Sequence, residues 1–103
     1  MKIRDLKVEL YQDNDDEWRW RCFAGNGEQI AKSPRAYKKK KTMVKVLAHI
    51  LAREHDAELY QDKAGEWRWR FYRREQIAAI SSEGYKKSKA CRHASNLFLD
   101  ATL

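Results

Sequence analysis

Two segments of the chain, 17–23 and 66–72, are rich in aromatic residues and alternate between an aromatic or apolar side chain and, at most of the intervening positions, a charged one. Successive side chains of a β-strand point to opposite faces, so this period of two predicts strands that bury one face each. Shorter stretches with strand character lie on either side, at 7–11 and 29–31 in the first half and at 57–60 and 76–78 in the second. The pattern therefore predicts three strands in each half.

A helical period follows the strands in each half. Met43, Val46, Leu47, Ile50 and Leu51 form one apolar stripe, and a second stripe consists of Ala90, Cys91, Ala94, Leu97, Phe98 and Ala101. Ser33-Pro34 could provide the N-cap and first position of the first helix, and Ser88 suits the N-cap of the second. Because Ser88 aligns with Lys40, we expect the first helix to begin near Lys40.

Turn residues separate the predicted strands. Asp13-Asn14-Asp15-Asp16 and Asp62-Lys63-Ala64-Gly65 follow the first strand of each half. Asn26-Gly27 predicts a tight hairpin in the first half. In the second half Arg73-Arg74 replaces the four residues 24–27, so we align 29–31 with 76–78.

The two halves are copies of one unit. Residues 9–21 and 58–70 are identical at ten of thirteen positions, at an offset of 49. We predict an α+β fold of two tandem β-β-β-α repeats, 7–54 and 56–102, joined by a short polar connector at 53–56. They would form one antiparallel sheet about a pseudo-two-fold axis, with helices on one face. Half of a 103-residue chain is too small for an adequate core, so we predict one domain, 1–103, with a shared core.

Charge and composition limit the function classes. The net charge is +7, which suits an anionic partner without proving one. No apolar run approaches the ~18–20 residues of a membrane span, and the first residues are unlike a signal peptide, so we expect a cytoplasmic protein with no membrane partner. For Cys22 and Cys91 we favour buried free thiols over a disulfide between the halves.

The acidic turn, Glu-Trp-Arg-Trp-Arg, Asn-Gly, Ile-Ala, a serine, a tyrosine and a Lys/Ala-rich helix together resemble the YegP-like family, also called DUF1508 or UPF0339. The resemblance covers nearly the whole chain twice and marks it as a tandem two-motif member. The second copy keeps Ser82-Glu83-Gly84-Tyr85, whereas the first has Ser33-Pro34-Arg35-Ala36-Tyr37. The resemblance implies an α+β fold in which two motifs build a single sheet, within one chain or by dimerisation. It implies no established activity and no cofactor.

The alternation assigns the two faces of the sheet. We predict that the four tryptophans lie on the helix-facing side as core. The opposite face would carry candidate phosphate-binding arginines, Arg19, Arg21, Arg68 and Arg70, and candidate stacking aromatics, Tyr11, Phe23, Tyr60 and Tyr72. A plainer alternative is that the glutamates of this face, such as Glu9, form ordinary cross-strand ion pairs with these arginines.

Lysines cluster where both helices are predicted to begin: Lys38, Lys39, Lys40 and Lys41 in the first half, and Lys86, Lys87 and Lys89 in the second. Cations there oppose the helix macrodipole, and a local rule broken in both copies favours a functional reason. Free N–H groups with added lysines would hold a phosphate. The alternative is a solvated run screened by salt.

Catalytic and metal-binding patterns are not evident. His49, His55 and His93 have no ligand spacing, and the acidic turn of the first half is not repeated in the second. We therefore predict no enzyme, no metal site and no cofactor.

The hypothesis is a small, monomeric nucleic-acid-binding accessory protein for DNA or RNA, with an internal pseudo-dimer. The alternative is a protein-interaction module that docks an acidic partner or pairs a sheet edge with a partner's strand.

Overall fold

The computed structural model describes residues 6–52 and 57–100. The predicted connector at 53–56 and Ala101 lie outside the described residues. The elements are β1 (Lys7–Gln12), β2 (Trp18–Phe23), β3 (Gln29–Lys32), α1 (Lys40–Leu51), β4 (Glu58–Gln61), β5 (Trp67–Arg73), β6 (Gln76–Ser81) and α2 (Ser88–Leu99). The predicted α+β class is confirmed.

All six strands form one antiparallel sheet in the order β1-β2-β3-β6-β5-β4. Each half contributes a three-stranded meander, and the two meanders join where β3 pairs with β6. Ala31 lies opposite Ser81 at this junction, and Lys32 lies opposite Ile80. The edges of the sheet are therefore β1 and β4.

The helices cover one face of this sheet. Trp20 and Trp69 are fully buried there, and both stack on Phe98 of α2, with ring centroids 5.4 and 5.5 Å apart. Met43 and Leu47 of α1 belong to the same cluster. Trp18 and Trp67 are half-buried against it, so all four tryptophans lie on the predicted core side. One helix thus packs on both halves of the sheet.

The two acidic turns are built by one aspartate each. Asp13 Oδ1 accepts hydrogen bonds from the backbone N–H groups of Asp15 and Glu17, at 2.9 and 3.1 Å. Asp62 does the same with Ala64 and Glu66, at 2.9 and 3.0 Å. These bonds replace the backbone partners that a tight turn lacks, which confirms the predicted turns.

The predicted alignment of the third strands is wrong by one residue. Cys22 pairs with Ala31 and Phe71 pairs with Ala79, so Ala31 corresponds to Ala79 and not to Ala78. The second hairpin is one residue shorter than the first, not two, because Arg74 and Glu75 both adopt positive φ, 51° and 66°, to close it. The strands also extend further than predicted, to Lys32 and Ser81.

The predicted helix caps also need correction. The N-cap residues are Lys39 and Lys87, and neither makes a side-chain capping bond; Ser88 is the first residue of α2. Ser33 is buried, and its Oγ accepts a hydrogen bond from the backbone N–H of Trp20 at 3.3 Å. Because Ser33 bonds to the sheet, it does not cap α1. The prediction that α1 begins near Lys40 is confirmed.

Both cysteines, Cys22 and Cys91, are free and buried, as favoured. Burial raises the pKa of the Cys22 thiol to about 11. None of the helices in the described residues is both long and apolar enough to cross a membrane.

Candidate nucleic-acid interface

The sheet face away from the helices carries a row of mostly charged side chains, one from each strand. The register places the row across the sheet as Glu9, Arg21, Lys32, Ile80, Arg70 and Glu58. The glutamates occupy the edge strands and the arginines lie one strand further in. At the centre, Lys32 faces Ile80, so the two halves differ there.

The two arginines of this row are already engaged. Arg21 forms an ion pair with Glu9, and Arg70 forms one with Glu58. The guanidinium carbon of Arg21 also lies 4.4 Å from the ring centroid of Tyr11, and that of Arg70 lies 4.1 Å from Tyr60. The alternative of cross-strand ion pairs is therefore what the structure contains.

The remaining predicted stacking residues flank the same guanidinium groups. Phe23 lies 5.7 Å from the guanidinium carbon of Arg21, and Tyr72 lies 5.6 Å from that of Arg70. The structure thus brings each predicted arginine of this row together with two predicted aromatics. A nucleic-acid base would have to displace or share these contacts to stack on the rings.

The outer pair of arginines contacts the turn aspartates. Arg19 Nε donates to Asp13 Oδ2 at 2.9 Å, and Arg68 Nε donates to Asp62 Oδ2 at 2.8 Å. These bonds, followed by the turn N–H donors, lower the pKa of Asp13 and of Asp62 below the usual carboxyl value. All four predicted arginines on this face consequently have a carboxylate partner.

The predicted lysines are in the opposite situation. Lys39, Lys40 and Lys41 are exposed at the start of α1, and Lys86, Lys87 and Lys89 are exposed at the start of α2. None of these, nor Lys38, forms an ion pair with another described residue. Neither helix has an acidic residue in its first turn, and Lys40 Nζ lies 5.3 Å from the ring centroid of Trp18. These lysines therefore face solvent without a directly bonded carboxylate.

The two lysine clusters lie at opposite ends of the sheet. The chain leading to α1 pairs with the start of β2 through Trp18 and Tyr37, and the chain leading to α2 pairs with the start of β5 through Trp67 and Tyr85. Because β3 and β6 pair antiparallel between them, β2 and β5 run in opposite directions. The predicted site residues therefore form one sheet face and two separate ends, not one continuous surface.

The two ends differ in charge. The end at the start of β2 and the finish of β5, here called the basic end, contains the cations Arg35, Lys38, Lys39, Lys40, Lys41, Arg73 and Arg74. The acids of the adjoining turns, Asp13, Asp15, Asp16, Glu17 and Glu75, also lie at this end, but the cations outnumber them. At the other end the lysines share the surface with Glu28, Glu66 and Glu83. Burial raises the pKa of Glu83, and the neighbouring carboxylates Glu28 and Glu66 raise it further.

Sequence reasoning missed Arg35, Arg73 and Arg74 as members of the candidate site. Arg35 lies three positions before the lysine run, and Arg73-Arg74 occupies a hairpin where the first half has Asn-Gly. The available signal was that the two halves, which otherwise have similar sequences, differ at these turns. No cluster of three or more His, Cys, Asp or Glu side chains suited to a metal occurs within residues 6–52 and 57–100.

No protein-family model and no curated protein matches this sequence. Two solved structures are similar in fold. The solution structure of UPF0339 protein SO3888 from Shewanella oneidensis has a TM-score of 0.79 at 19% identity, covering 92% of this chain and 82% of that chain. The solution structure of yegP from E. coli, described as a protein of unknown function, has a TM-score of 0.80 at 22% identity, covering 96% and 87%. The resemblance to the YegP-like family is thus supported, and this chain shares the fold of these two proteins.

Proposed function

We propose that this protein is a small non-catalytic nucleic-acid-binding accessory protein that contacts the phosphate backbone mainly through its basic end. The observation that carries the proposal is the contrast in pairing. The lysines at the start of α1 have no carboxylate partner among the described residues, whereas Arg19, Arg21, Arg68 and Arg70 each have one.

Phosphate binding favours cations that are free to exchange their counterions. A lysine that neutralises a phosphate releases condensed ions, which gives affinity and a steep salt dependence. An arginine of the sheet face must first lose its bond to Glu or Asp, and that carboxylate then repels the phosphate. The sheet arginines would therefore add to binding only where a phosphate replaces their present partners.

Fluorescence anisotropy with labelled single-stranded and duplex DNA and RNA tests the proposal, from about 50 to about 200 mM salt. We expect affinity that falls steeply with salt. The triple variant Lys39→Gln, Lys40→Gln, Lys41→Gln should weaken binding. It should also reduce the logarithmic salt slope by about one for each phosphate that the variant no longer neutralises.

The control variant is Lys86→Gln, Lys87→Gln, Lys89→Gln, which removes equal charge from the opposite end of the sheet. It should weaken binding less, because that end has fewer cations and its carboxylates, Glu28, Glu66 and Glu83, repel phosphate. The absence of binding to any of the four nucleic acids at low salt would refute the proposal. Equal losses of affinity in both triple variants would refute the assignment to the basic end.

A protein-interaction module is the second candidate, and the free edges of β1 and β4 favour it. In the described residues each of these strands pairs on one side only. A partner's strand could extend the sheet there. Affinity purification with and without nuclease separates the two candidates, because a direct protein partner survives nuclease and a nucleic-acid-bridged one does not.

We also propose that the halves are repeats of one unit, related by a pseudo-two-fold axis through the β3–β6 pair, in a single-domain monomer. Matching registers support this, since Glu9 pairs with Arg21 and Glu58 pairs with Arg70. Light scattering at micromolar concentration should give the mass of one chain, 12.3 kDa.

A further inference from the structure

A cleft opens at the basic end, between the segment that precedes α1 and the β5–β6 hairpin. Its volume is about 390 Å³. Arg35, Tyr37 and Lys38 line one side, and Arg73 and Gln76 line the other. The cleft is thus built by both halves of the chain, which explains why neither repeat read alone reveals it.

The charges in this cleft are of one sign. Of the described residues that line it, three are cationic and none is acidic. Arg35 Nη1 donates to the amide oxygen of Gln76 at 3.1 Å, which fixes this side chain without neutralising it. Three cations that line one cleft without a carboxylate repel one another, and a bound anion would remove this repulsion.

The side chain of Arg73 gives a second indication that the cleft binds an anion. Its Nε is buried and has no hydrogen-bond partner. An arginine donor that loses water without gaining an acceptor costs free energy, so such groups in a folded protein call for an explanation. Arg35 and Arg73 both act on Tyr37: their charges counter the rise that burial causes in the pKa of its phenol. Arg35 and Arg73 thus line the same cleft as this phenol.

The second half of the molecule shows that the fold does not require this cleft to be basic. The counterpart of Arg35 is Glu83, and Gln76 corresponds to Glu28. The position of Arg73 is held by Ala24 in the first half. Burial raises the pKa of Glu83, and the charge of Glu28 adds to that rise. One end of the pair of repeats has thus acquired cations where the other holds acids.

We propose that this cleft is a binding site for a phosphate monoester, with Arg35 and Arg73 holding the phosphate oxygens and Lys38 adding charge. Guanidinium groups match phosphate oxygens with paired hydrogen bonds, and a monoester dianion balances more of the cleft's charge than a backbone diester does. The volume also admits part of an organic group. Val46, Ile77 and Ala78 provide apolar surface for it. The monoester could be the terminal phosphate of a nucleic-acid strand or a free nucleoside monophosphate.

Isothermal titration calorimetry and anisotropy with four probes test this site. The probes are adenosine 5′-monophosphate, adenosine, and one oligonucleotide prepared with a 5′-phosphate and with a 5′-hydroxyl. Tighter binding of the phosphorylated oligonucleotide identifies a strand end. Saturable binding of the monophosphate without adenosine binding, and without oligonucleotide preference, identifies a free nucleotide.

The deciding variants are Arg73→Gln and its neighbour Arg74→Gln, which lose the same charge but differ in whether the residue lines the cleft. We expect Arg73→Gln to reduce the preference for each phosphorylated probe over its hydroxyl counterpart about tenfold or more. Arg74→Gln removes a cation of the basic end and can weaken oligonucleotide binding, but it should change that preference by no more than about twofold. Arg35→Glu, which copies the residue of the other half, should abolish it. Thermal melts test whether each variant is folded. If Arg73→Gln is unfolded, the binding measured with Arg35→Glu decides the test.

Two results would overturn the inference. One is that neither the monophosphate nor the 5′-phosphate is preferred over its hydroxyl counterpart. The other is that Arg73→Gln and Arg74→Gln reduce this preference to the same extent. Salt-sensitive binding of the 5′-hydroxyl oligonucleotide would leave the proposed function standing in either case, because backbone binding does not need this cleft.

Discussion

Asp13 and Asp62 each connect two parts of the structure at the scale of single residues. One carboxylate oxygen accepts the backbone N–H groups of the turn, and the other accepts the arginine of the following strand. The charge that arginine brings to the sheet face is thereby balanced by the residue that shapes the turn. This is why an arginine-rich face can be close to neutral in a protein of net charge +7.

The lowered pKa of Asp62 predicts a pH-dependent contribution to stability. A carboxyl whose pKa is lower in the folded state stabilises the protein above its unfolded pKa, near 3.8, and this stabilisation is lost as the pH falls through the folded value. Asp62→Asn should therefore be less stable than the parent protein at neutral pH, and the difference should shrink below about pH 4. Urea unfolding from pH 7 to pH 2.5 measures this, and a pH-independent difference would contradict it.

The burial of Trp69 predicts how much the aromatic cluster contributes to the free energy of unfolding. Trp69→Ala should lower the free energy of unfolding by about 3–5 kcal/mol, because a cavity would open between β5 and Phe98. Tyr72→Ala, on the same strand but 40% exposed, is the control and should cost far less. Denaturant unfolding of both variants compares them, and a loss under about 1 kcal/mol for Trp69→Ala would contradict the core assignment.

The sequence predicted the positions of single residues well where the alternation along a strand alone determines them. It predicted them poorly where contacts between distant parts of the chain determine them. Alternation was enough to place Trp20 and Trp69 on the buried face. It could not show that Arg35 and Arg73 line one cleft, because they belong to different halves and come together only when β3 pairs with β6. It left open whether Glu9 would pair with Arg21, since burial and register fix that choice.

At the scale of elements, both helices begin without a capping side chain. Lys39 and Lys87 occupy N-cap positions with extended backbone, where Ser, Thr, Asp or Asn would normally bond to a free N–H. The lysines also oppose the helix dipole. This local cost in both helices is one reason to assign the lysines a binding role.

Replacing a lysine at an N-cap position with a residue that can cap the helix should therefore stabilise the protein. We expect Lys87→Ser to raise the free energy of unfolding by about 0.5–2 kcal/mol through a new capping bond. Lys45→Ser, at an exposed position inside α1, is the control and should destabilise slightly because serine is a poorer helix former. Thermal unfolding measures both, and no gain in Lys87→Ser would contradict the uncapped description.

The hairpins show where element prediction fails. Asn26-Gly27 marked the first hairpin correctly, and Gly27 has a φ of 87°. The second hairpin closes with Arg74 and Glu75 at positive φ, which few non-glycine residues adopt, so its length was misjudged by one residue. Since one residue shifts the register of a strand, this small error misaligned the third strands of the two halves.

At the scale of the whole molecule, the shared core predicts that neither half folds alone. Phe98 of α2 stacks on Trp20 of the first half as well as on Trp69 of its own. A fragment of residues 1–54 should therefore be unfolded, or dimeric through its exposed β3 edge. Circular dichroism with analytical ultracentrifugation tests this, and a stable folded monomer would contradict the shared core.

The charge distribution gives the molecule two unlike ends and a nearly balanced sheet face. We propose that nucleic acid contacts the basic end. Backbone amide chemical-shift mapping by NMR, with a short oligonucleotide titrated into the labelled protein, tests this contact. We expect shifts concentrated at 35–42 and 73–76, with small changes at Arg21 and Arg70. Shifts centred on the open sheet face, or none at all, would contradict it.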